Sequence, residues 1–258
     1  MQKEKSYSYL NLFIRSLIFS IFSIVTICIY STFVGLSFFL PLRYRYAEIR
    51  AYLRVYMYVL KVVCHIDYKI EGLENIPNDN RVIVLSKHQS AWETFFLPII
   101  FHDPAIIAKR ELLWIPFFGW GLAAASPIAI DRSSAATAMQ QIIKKGKVYL
   151  DEGRSVLLFP EGTRVPVGQI GKYKLGGARL ATATGYPVLP VAHNAGYCWP
   201  RRKFIKRPGT ISVVIGPLIE SKDRTPDEVL TLAKNWIEDT VLRIGSGCVG
   251  SFVNKTTR

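Results

Sequence analysis

A histidine and a glutamate five positions apart, His88 and Glu93, are the strongest candidates for chemistry in this sequence. A carboxylate that contacts an imidazole fixes its tautomer and stabilises the imidazolium that forms when the ring accepts a proton, so the pair suits general-base catalysis. Ser90 lies between them and completes the Ser-x-x-Glu pattern of a helix capping box. A side chain at the third helical position points back toward the preceding loop, so Glu93 can serve both purposes.

A second group of polar residues, Glu161, Gly162, Thr163 and Arg164, follows a proline that ends an apolar run. The planar guanidinium of an arginine matches the oxygens of a phosphate in a two-point contact. The same segment is also an ordinary turn with a surface arginine. By itself it does not decide between the two interpretations.

Short apolar runs alternate with amphipathic stretches after about residue 67, which predicts an α/β domain with a mainly parallel sheet flanked by helices. The predicted strands are residues 81–86, 105–109, 127–131, 155–159, 187–191 and 211–215. The predicted helices are residues 91–101, 134–152, 175–184 and one that begins at Thr225. Ligand sites in such sheets lie at the carboxyl ends of strands, and both polar groups follow a predicted strand.

The N-terminal segment predicts attachment to a membrane. Residues 16–42 are a run of 27 residues without a charged side chain. As a helix this run reaches roughly 40 Å, against about 30 Å of hydrocarbon core. A cleaved signal peptide is the competing interpretation, but the run is long for a signal core and no small-x-small cleavage site follows it. Basic residues flank both ends, so the run either crosses the bilayer or dips into one leaflet as half of a helical hairpin.

Residues 44–65 predict an amphipathic helix. Arg43, Arg50, Arg54 and Lys61 recur at spacings that place them on one helical face, and valines and tyrosines fill the rest. Such a helix is typical of a membrane interface, and the alternative is a helix packed on the soluble domain. We expect membrane-anchoring helices in residues 1–66 and an α/β domain in residues 67–258.

The charge balance indicates an anionic partner. The chain has 33 Lys and Arg against 19 Asp and Glu, a net charge of +14. Lipid headgroups, nucleic acid, an acidic carrier protein or phosphorylated substrates would fit, and the apolar N-terminal run favours the membrane over nucleic acid. The basic cluster 201–207 suits anionic lipid or an acidic carrier protein, or else is a solvated loop.

Several function classes lack their motifs. The four cysteines are scattered without a C-x-x-C pair, so we expect reduced packing residues and no zinc site. A Gly-x-Ser-x-Gly elbow and a Walker-type phosphate loop are both missing from the sequence, which argues against a serine hydrolase and an NTPase.

The motifs together resemble the glycerophospholipid acyltransferases, in particular the bacterial lysophosphatidic acid acyltransferases. The resemblance covers roughly residues 80–195, with a helical hairpin before them that is similar to the two-helix motif of bacterial members. Its blocks occur in the family's order: the His88 stretch with its acid, KREL–IP–G–IDR in residues 109–132, FPEGTR in 159–164, YKLGGA in 173–178 and VLPVA in 188–192. One departure is Glu93, where the family has aspartate, so the acidic side chain is longer by one methylene group.

The resemblance implies that His88, assisted by Glu93, deprotonates the sn-2 hydroxyl of 1-acylglycerol 3-phosphate, which attacks the thioester of acyl-CoA or acyl-carrier protein and gives phosphatidic acid. Ser90 is expected to be a helix cap and not a nucleophile. The expected substrate-binding residues are Glu161, Gly162, Thr163, Arg164, Lys109, Arg132 and Lys174, of which the last three are equally well explained as surface cations.

The resemblance also implies that neither a cofactor nor a metal is required, and it places the protein in a bacterial inner membrane with its catalytic domain on the cytoplasmic side. An acyltransferase for another lysophospholipid or for glycerol 3-phosphate is the alternative. A non-catalytic lipid-binding protein is a further alternative from a different class.

Overall fold

A seven-stranded sheet lies at the centre of the structure, a computed structural model that describes residues 7–131 and 134–245. The strands are β1 (Ile66–Glu71), β2 (Ile83–Ser86), β3 (Ala105–Lys109), β4 (Ile128–Ile130), β5 (Val156–Leu158), β6 (Val188–His193) and β7 (Gly209–Ile215). The helices are α1 (Tyr9–Leu36), α2 (Leu42–Cys64), α3 (Trp92–Ile100), α4 (Phe118–Ala124), α5 (Ala135–Asp151), α6 (Gly176–Thr184), α7 (Ala195–Cys198) and α8 (Pro226–Ile244).

The strands are ordered β1-β7-β6-β2-β5-β3-β4. Five neighbouring pairs are parallel, and β6 with β7 is the antiparallel pair. The five strands from β6 to β4 therefore point the same way, and β7 and β1 run in the reverse direction. This confirms the mainly parallel sheet, and it brings the carboxyl ends of β2, β3, β4, β5 and β6 to one edge.

Alternate residues of β2 show how both faces of the sheet are covered. Ile83 and Leu85 belong to a core shared with α5, α6 and α8. Val84, and Val82 immediately before the strand, belong to a second core shared with α2 and α3. Since successive strand residues point to opposite faces, the sheet is packed by helices on both sides. A strand buried on both faces explains why residues 82–85 are uniformly apolar.

The six predicted strands and four predicted helices all occur, with ends that differ by one or two residues. Strand β1 and helices α4 and α7 were not predicted. β1 has the sequence IDYKIE and pairs with β7 at the edge of the sheet, so most of its side chains are partly or fully exposed. An edge strand of this kind has no apolar run, because it has little to bury.

The two N-terminal helices differ in how far they are buried: α1 is mostly exposed, whereas α2 packs on the sheet domain. The segment Tyr9–Phe39 is long and apolar enough to cross a membrane, with a mean hydropathy of 2.3 in its most apolar window, and 17% of that window is buried. Helix α2 packs against α3 and β1. The buried side of α2 includes Tyr56 and Leu60, which lie in the same hydrophobic core as Val84 of β2.

The predicted basic face of α2 is divided between solvent and ion pairs. Arg43 and Arg54 are exposed. Arg50 lies 3.2 Å from Asp103 and Lys61 lies 2.7 Å from Asp67. The face is thus partly used to dock α2 onto the sheet domain.

The expectation for the cysteines holds for Cys28 and Cys64, which are free. It is wrong for Cys198, which is disulfide-bonded.

Candidate active site

His88 and Glu93 meet at the carboxyl end of β2, where the strand turns into α3. His88 Nδ1 lies 2.9 Å from Glu93 Oε1, so the longer side chain of glutamate reaches the imidazole. Because a carboxylate only accepts, Nδ1 carries the hydrogen and donates it. The lone pair of the ring is therefore on Nε2, which can accept a proton.

The Glu93 carboxylate is fixed by its surroundings. Its side chain has no exposed area, and Oε1 also accepts hydrogen bonds of 2.8 Å from the backbone N–H groups of Gln89 and Ser90. Burial by itself raises the pKa of Glu93, but the neighbouring His193 and His88 and the donated hydrogen bonds outweigh it and hold the pKa below its usual value. Glu93 is thus an ionised, immobile partner for the imidazole.

The start of α3 carries the predicted capping contacts in part. The helix begins at Trp92 with Ala91 as its cap residue, one position later than the Ser90 predicted. Ser90 Oγ accepts from the Trp92 N–H at 3.1 Å, and Glu93 accepts from the Ser90 N–H, as in a capping box. Since the hydroxyl of Ser90 is buried and engaged by this backbone group, it is poorly placed to act as a nucleophile.

The second polar group holds His88 from the other side. The imidazole stacks on the Phe159 ring with centroids 4.0 Å apart. The backbone N–H of His88 donates to Glu161 Oε2 at 2.7 Å, and the backbone carbonyl of His88 accepts from the Val165 N–H at 2.8 Å. The segment after β5 therefore forms one wall of the histidine site, as expected for adjacent parallel strands.

Glu161 is directed into the protein interior. Its Oε1 forms an ion pair of 2.7 Å with Lys87 Nζ, and neither side chain has exposed area. The same ammonium lies 2.7 Å from Glu238 Oε1, which also accepts from Tyr173 OH at 2.8 Å. Burial raises the pKa of Glu161 to about 7, because it outweighs the opposing attraction of Lys87. Both carboxylate oxygens of Glu161 are thus engaged by groups of this chain.

Glu161→Gln is expected to change how stability depends on pH. A carboxyl whose pKa is raised on folding stabilises the folded state fully below the unfolded pKa of 4.5, and this contribution is lost as the pH rises to about 7. Unfolding temperatures measured from pH 4.5 to 8 should therefore decline less steeply in Glu161→Gln than in the unmodified protein. Glu220→Gln, at an exposed position, is the control. Parallel curves for all three proteins would contradict the assignment.

Gly162 and Lys174 lie together at the outer side of this turn. Gly162 has φ +68°, and a Cβ at this position would lie 3.0 Å from Lys174 Nζ. The turn is closed by the Gly162 N–H to the Phe159 carbonyl and by the Lys174 N–H to the Pro160 carbonyl, at 2.9 and 2.8 Å. Both Thr163 and Lys174 are exposed, and Arg164 is half-buried. These groups provide positive charge beside the histidine site.

The two cations of the second block are placed differently. Lys109 is exposed at the carboxyl end of β3, on the same edge as His88. One strand, β5, separates β3 from β2, which corresponds to about 10 Å between them. Arg132 lies outside the described residues.

His193, at the end of β6, is a site residue that the sequence reasoning missed. Its ring is fully buried and Nε2 donates to the Lys87 carbonyl at 2.8 Å, while Nδ1 accepts from the Ala195 N–H at 3.3 Å. Burial lowers the pKa of His193, so the ring is neutral with its hydrogen on Nε2. Nε2 also lies 3.9 Å from Glu93 Oε2. A histidine at a parallel-strand end, immediately after the VLPVA block of residues 188–192, was the available signal.

An apolar cavity of about 380 Å³ lies elsewhere, between α1 and α4. Its walls are Thr32, Gly35, Leu36, Phe38, Trp120 and Ala123, and none of these surrounds His88. Within residues 7–131 and 134–245, no group of three or more His, Cys, Asp or Glu side chains is arranged to hold a metal ion.

Comparison with known proteins gives one consistent result. The acyltransferase family model matches residues 67–194. The 1-acyl-sn-glycerol-3-phosphate acyltransferase of Pseudomonas aeruginosa is 48% identical over 217 residues, which are 81% of this chain and 84% of the relative. The human 1-acyl-sn-glycerol-3-phosphate acyltransferase alpha is 29% identical over 74% of this chain and 68% of its own length. The crystal structure of the 1-acyl-sn-glycerophosphate (LPA) acyltransferase of Thermotoga maritima superimposes with a TM-score of 0.72, at 29% identity, over 89% of this chain and 92% of that one.

Proposed function

This chain belongs to the acyltransferase family, and we propose that it is a 1-acylglycerol-3-phosphate O-acyltransferase that makes phosphatidic acid for phospholipid synthesis. The observation that carries the proposal is the contact of His88 with the buried, ionised Glu93 at a strand end, beside a cationic turn. The acyl donor is a thioester of coenzyme A or of acyl-carrier protein. No cofactor is required for this reaction.

The transfer proceeds by direct attack. His88 Nε2 takes the proton of the sn-2 hydroxyl as its oxygen bonds to the thioester carbonyl carbon. The carbon–sulfur bond then breaks, and the leaving thiolate takes the proton from the His88 imidazolium, which returns to its neutral form. Glu93 stabilises the intermediate imidazolium through Nδ1, where its hydrogen bond already exists. Neither step requires an acyl-enzyme.

The acceptor phosphate is recognised by the cations around Gly162. Arg164 faces the phosphate in this proposal, and Lys174 lies next to the same turn. Gly162 and Thr163 form the turn itself. Lys109 lies at the same edge of the sheet, and we propose Lys109 and Arg132 as outer contacts of either substrate.

Arg164→Lys is expected to raise the KM for 1-acylglycerol 3-phosphate by about tenfold, with little change in kcat. Lysine keeps the positive charge but loses the two-point contact with phosphate oxygens, which is worth roughly one strong hydrogen bond. Steady-state kinetics with varied acceptor would measure this. The control is Arg179→Lys, an exposed arginine on α6. Equal KM values for the two variants would remove Arg164 from the acceptor site.

We propose that the protein is held on a bacterial inner membrane by residues 1–66, with the α/β domain of residues 67–258 on the cytoplasmic side. The exposed apolar side chains of α1, such as Ile24 and Ile29, support this. The basic cluster 201–207 lies against α1, because the Lys206 N–H donates to Ser16 Oγ at 2.9 Å and the Phe204 ring packs on Phe13. Its exposed cations are thus placed beside the membrane helix, where anionic headgroups would meet them.

The proposed activity is tested with purified protein, 1-acylglycerol 3-phosphate and each of the two thioester donors. Formation of phosphatidic acid with at least one donor is expected. Lysophosphatidylcholine and glycerol 3-phosphate, assayed in parallel, test the alternative acceptors. Transfer to one of these with none to 1-acylglycerol 3-phosphate would overturn the acceptor assignment, and no transfer to any acceptor would favour a lipid-binding protein.

A further inference from the structure

Lys87, the residue before the proposed base, is fully buried and has two carboxylates on its ammonium group. Glu161 Oε1 and Glu238 Oε1 are each 2.7 Å from Nζ, and the Lys87 side chain has no exposed area. A buried lysine is tolerated when its charge is matched by such partners. The Lys87 ammonium therefore joins two distant parts of the chain directly behind the catalytic loop.

Glu238 comes from a distant part of the chain. It lies on α8, 151 residues from Lys87, and outside residues 67–194 that the family model matches. The helix packs against β6 and α6, and Tyr173 OH donates to the same Oε1 that Lys87 approaches. The position of Glu238 is therefore fixed by the core and by a second hydrogen bond.

The contacts form a continuous chain from α8 to His88. Glu238 holds the Lys87 ammonium, the ammonium holds Glu161 Oε1, and Glu161 Oε2 accepts the His88 N–H at 2.7 Å. On its other side the Lys87 carbonyl is held by His193 Nε2. The backbone at residues 87 and 88 is thus restrained from both sides, and one of these restraints depends on α8.

We propose that Glu238 is a positioning residue for acyl transfer, which acts through Lys87 and Glu161 to hold the His88 backbone where the imidazole meets the acceptor hydroxyl. This inference rests on the proposed function of His88. It also assigns Glu161 a positioning role, in place of the acceptor contact that the family resemblance implied. Displacements of about 1 Å at a general base cost up to roughly a hundredfold in rate.

Glu238→Ala tests the positioning itself. Without the carboxylate, the Lys87 ammonium loses one partner and shifts with Glu161, so kcat is expected to fall about tenfold to a hundredfold while both KM values stay within roughly twofold. Asp239→Ala, at the adjacent exposed position of α8, is the matched control and should behave like the unmodified enzyme. A kcat for Glu238→Ala equal to that of the control would overturn the proposal.

Glu238→Gln gives a second readout that a merely structural role would not move. The groups facing Glu161 are Lys87 and His88 from the β2 loop, Tyr173 before α6 and Glu238 from α8. The ion pair of Glu161 with Lys87 forms only when Glu161 is ionised, and the Glu238 charge contributes to the raised pKa of Glu161. Removing that charge is therefore expected to lower the pH at which the positioning of His88 is lost, which shifts the acidic limb of the kcat–pH profile to lower pH. In a Glu161→Gln background the same change should leave the limb where it is.

The two readouts keep the test decisive. If Glu238→Ala does not fold, the pH profile of Glu238→Gln provides the test. An acidic limb that coincides with that of the unmodified enzyme then overturns the proposal. His88→Ala is assayed in the same series. An inactive His88→Ala beside unaffected Glu238 variants removes the positioning inference alone, whereas a fully active His88→Ala removes the proposed mechanism.

Discussion

His88→Ala is expected to lower kcat by about 10² to 10⁴ while the protein stays folded. This is the usual contribution of a positioned general base, and the substitution removes the imidazole that we propose takes the hydroxyl proton. The surrounding loop should keep its form. Glu93 Oε1 still accepts from Gln89 and Ser90, and Glu161 still accepts the backbone N–H of residue 88.

Acyl transfer to 1-acylglycerol 3-phosphate, followed with labelled thioester, measures the effect, and thermal unfolding confirms the fold. His102→Ala is the control, because His102 is exposed and lies beyond the end of α3. Transfer by His88→Ala at the rate of His102→Ala would disprove the general-base role.

Local patterns in the sequence were sufficient for much of this site. The capping pattern predicted a helix start just after His88, and the apolar runs predicted that His88 and Glu161 each follow the end of a strand. That the two strands are neighbours is known from the structure. Glu93 is one methylene longer than the aspartate of the family, and the sequence did not predict whether its carboxylate reaches the imidazole. The structure shows that it does, with a contact of 2.9 Å.

The residues that the sequence did not reveal are those joined by long-range packing. Lys87 and His193 are 106 positions apart, and Lys87 and Glu238 are 151 apart. No local spacing relates such residues, since their distance depends on which strands pair and where α8 docks. Glu161 shows the same limit. Its place after a strand was predicted, but the inward direction of its side chain follows from its ion pair with Lys87, for which the sequence has no local signal.

Lys87→Met is expected to lower the free energy of unfolding by about 3 to 5 kcal/mol, a decrease of roughly 6 to 20 °C in the unfolding temperature. Methionine has about the volume of the lysine side chain, so most of the loss in stability is expected to be electrostatic. Glu161 and Glu238 lose the ammonium that lies 2.7 Å from each, and two carboxylates stay behind with little access to water. Breaking a buried ion pair from one side is costly because the charge that is left has no compensation.

The cost should depend on pH in a direction that separates this explanation from lost packing. The pKa of Glu161 is already raised to about 7 with Lys87 present, and removing the lysine raises it further. In the unmodified protein the stability from this carboxyl is lost up to about pH 7, whereas in Lys87→Met the loss continues to higher pH, so the deficit should widen as the pH rises from about 7 to about 9. Thermal unfolding in detergent across this range measures it, with Lys172→Met at an exposed lysine as the control. A deficit that is constant with pH would mean that the lysine stabilises the active-site loop by its packing and not by its charge.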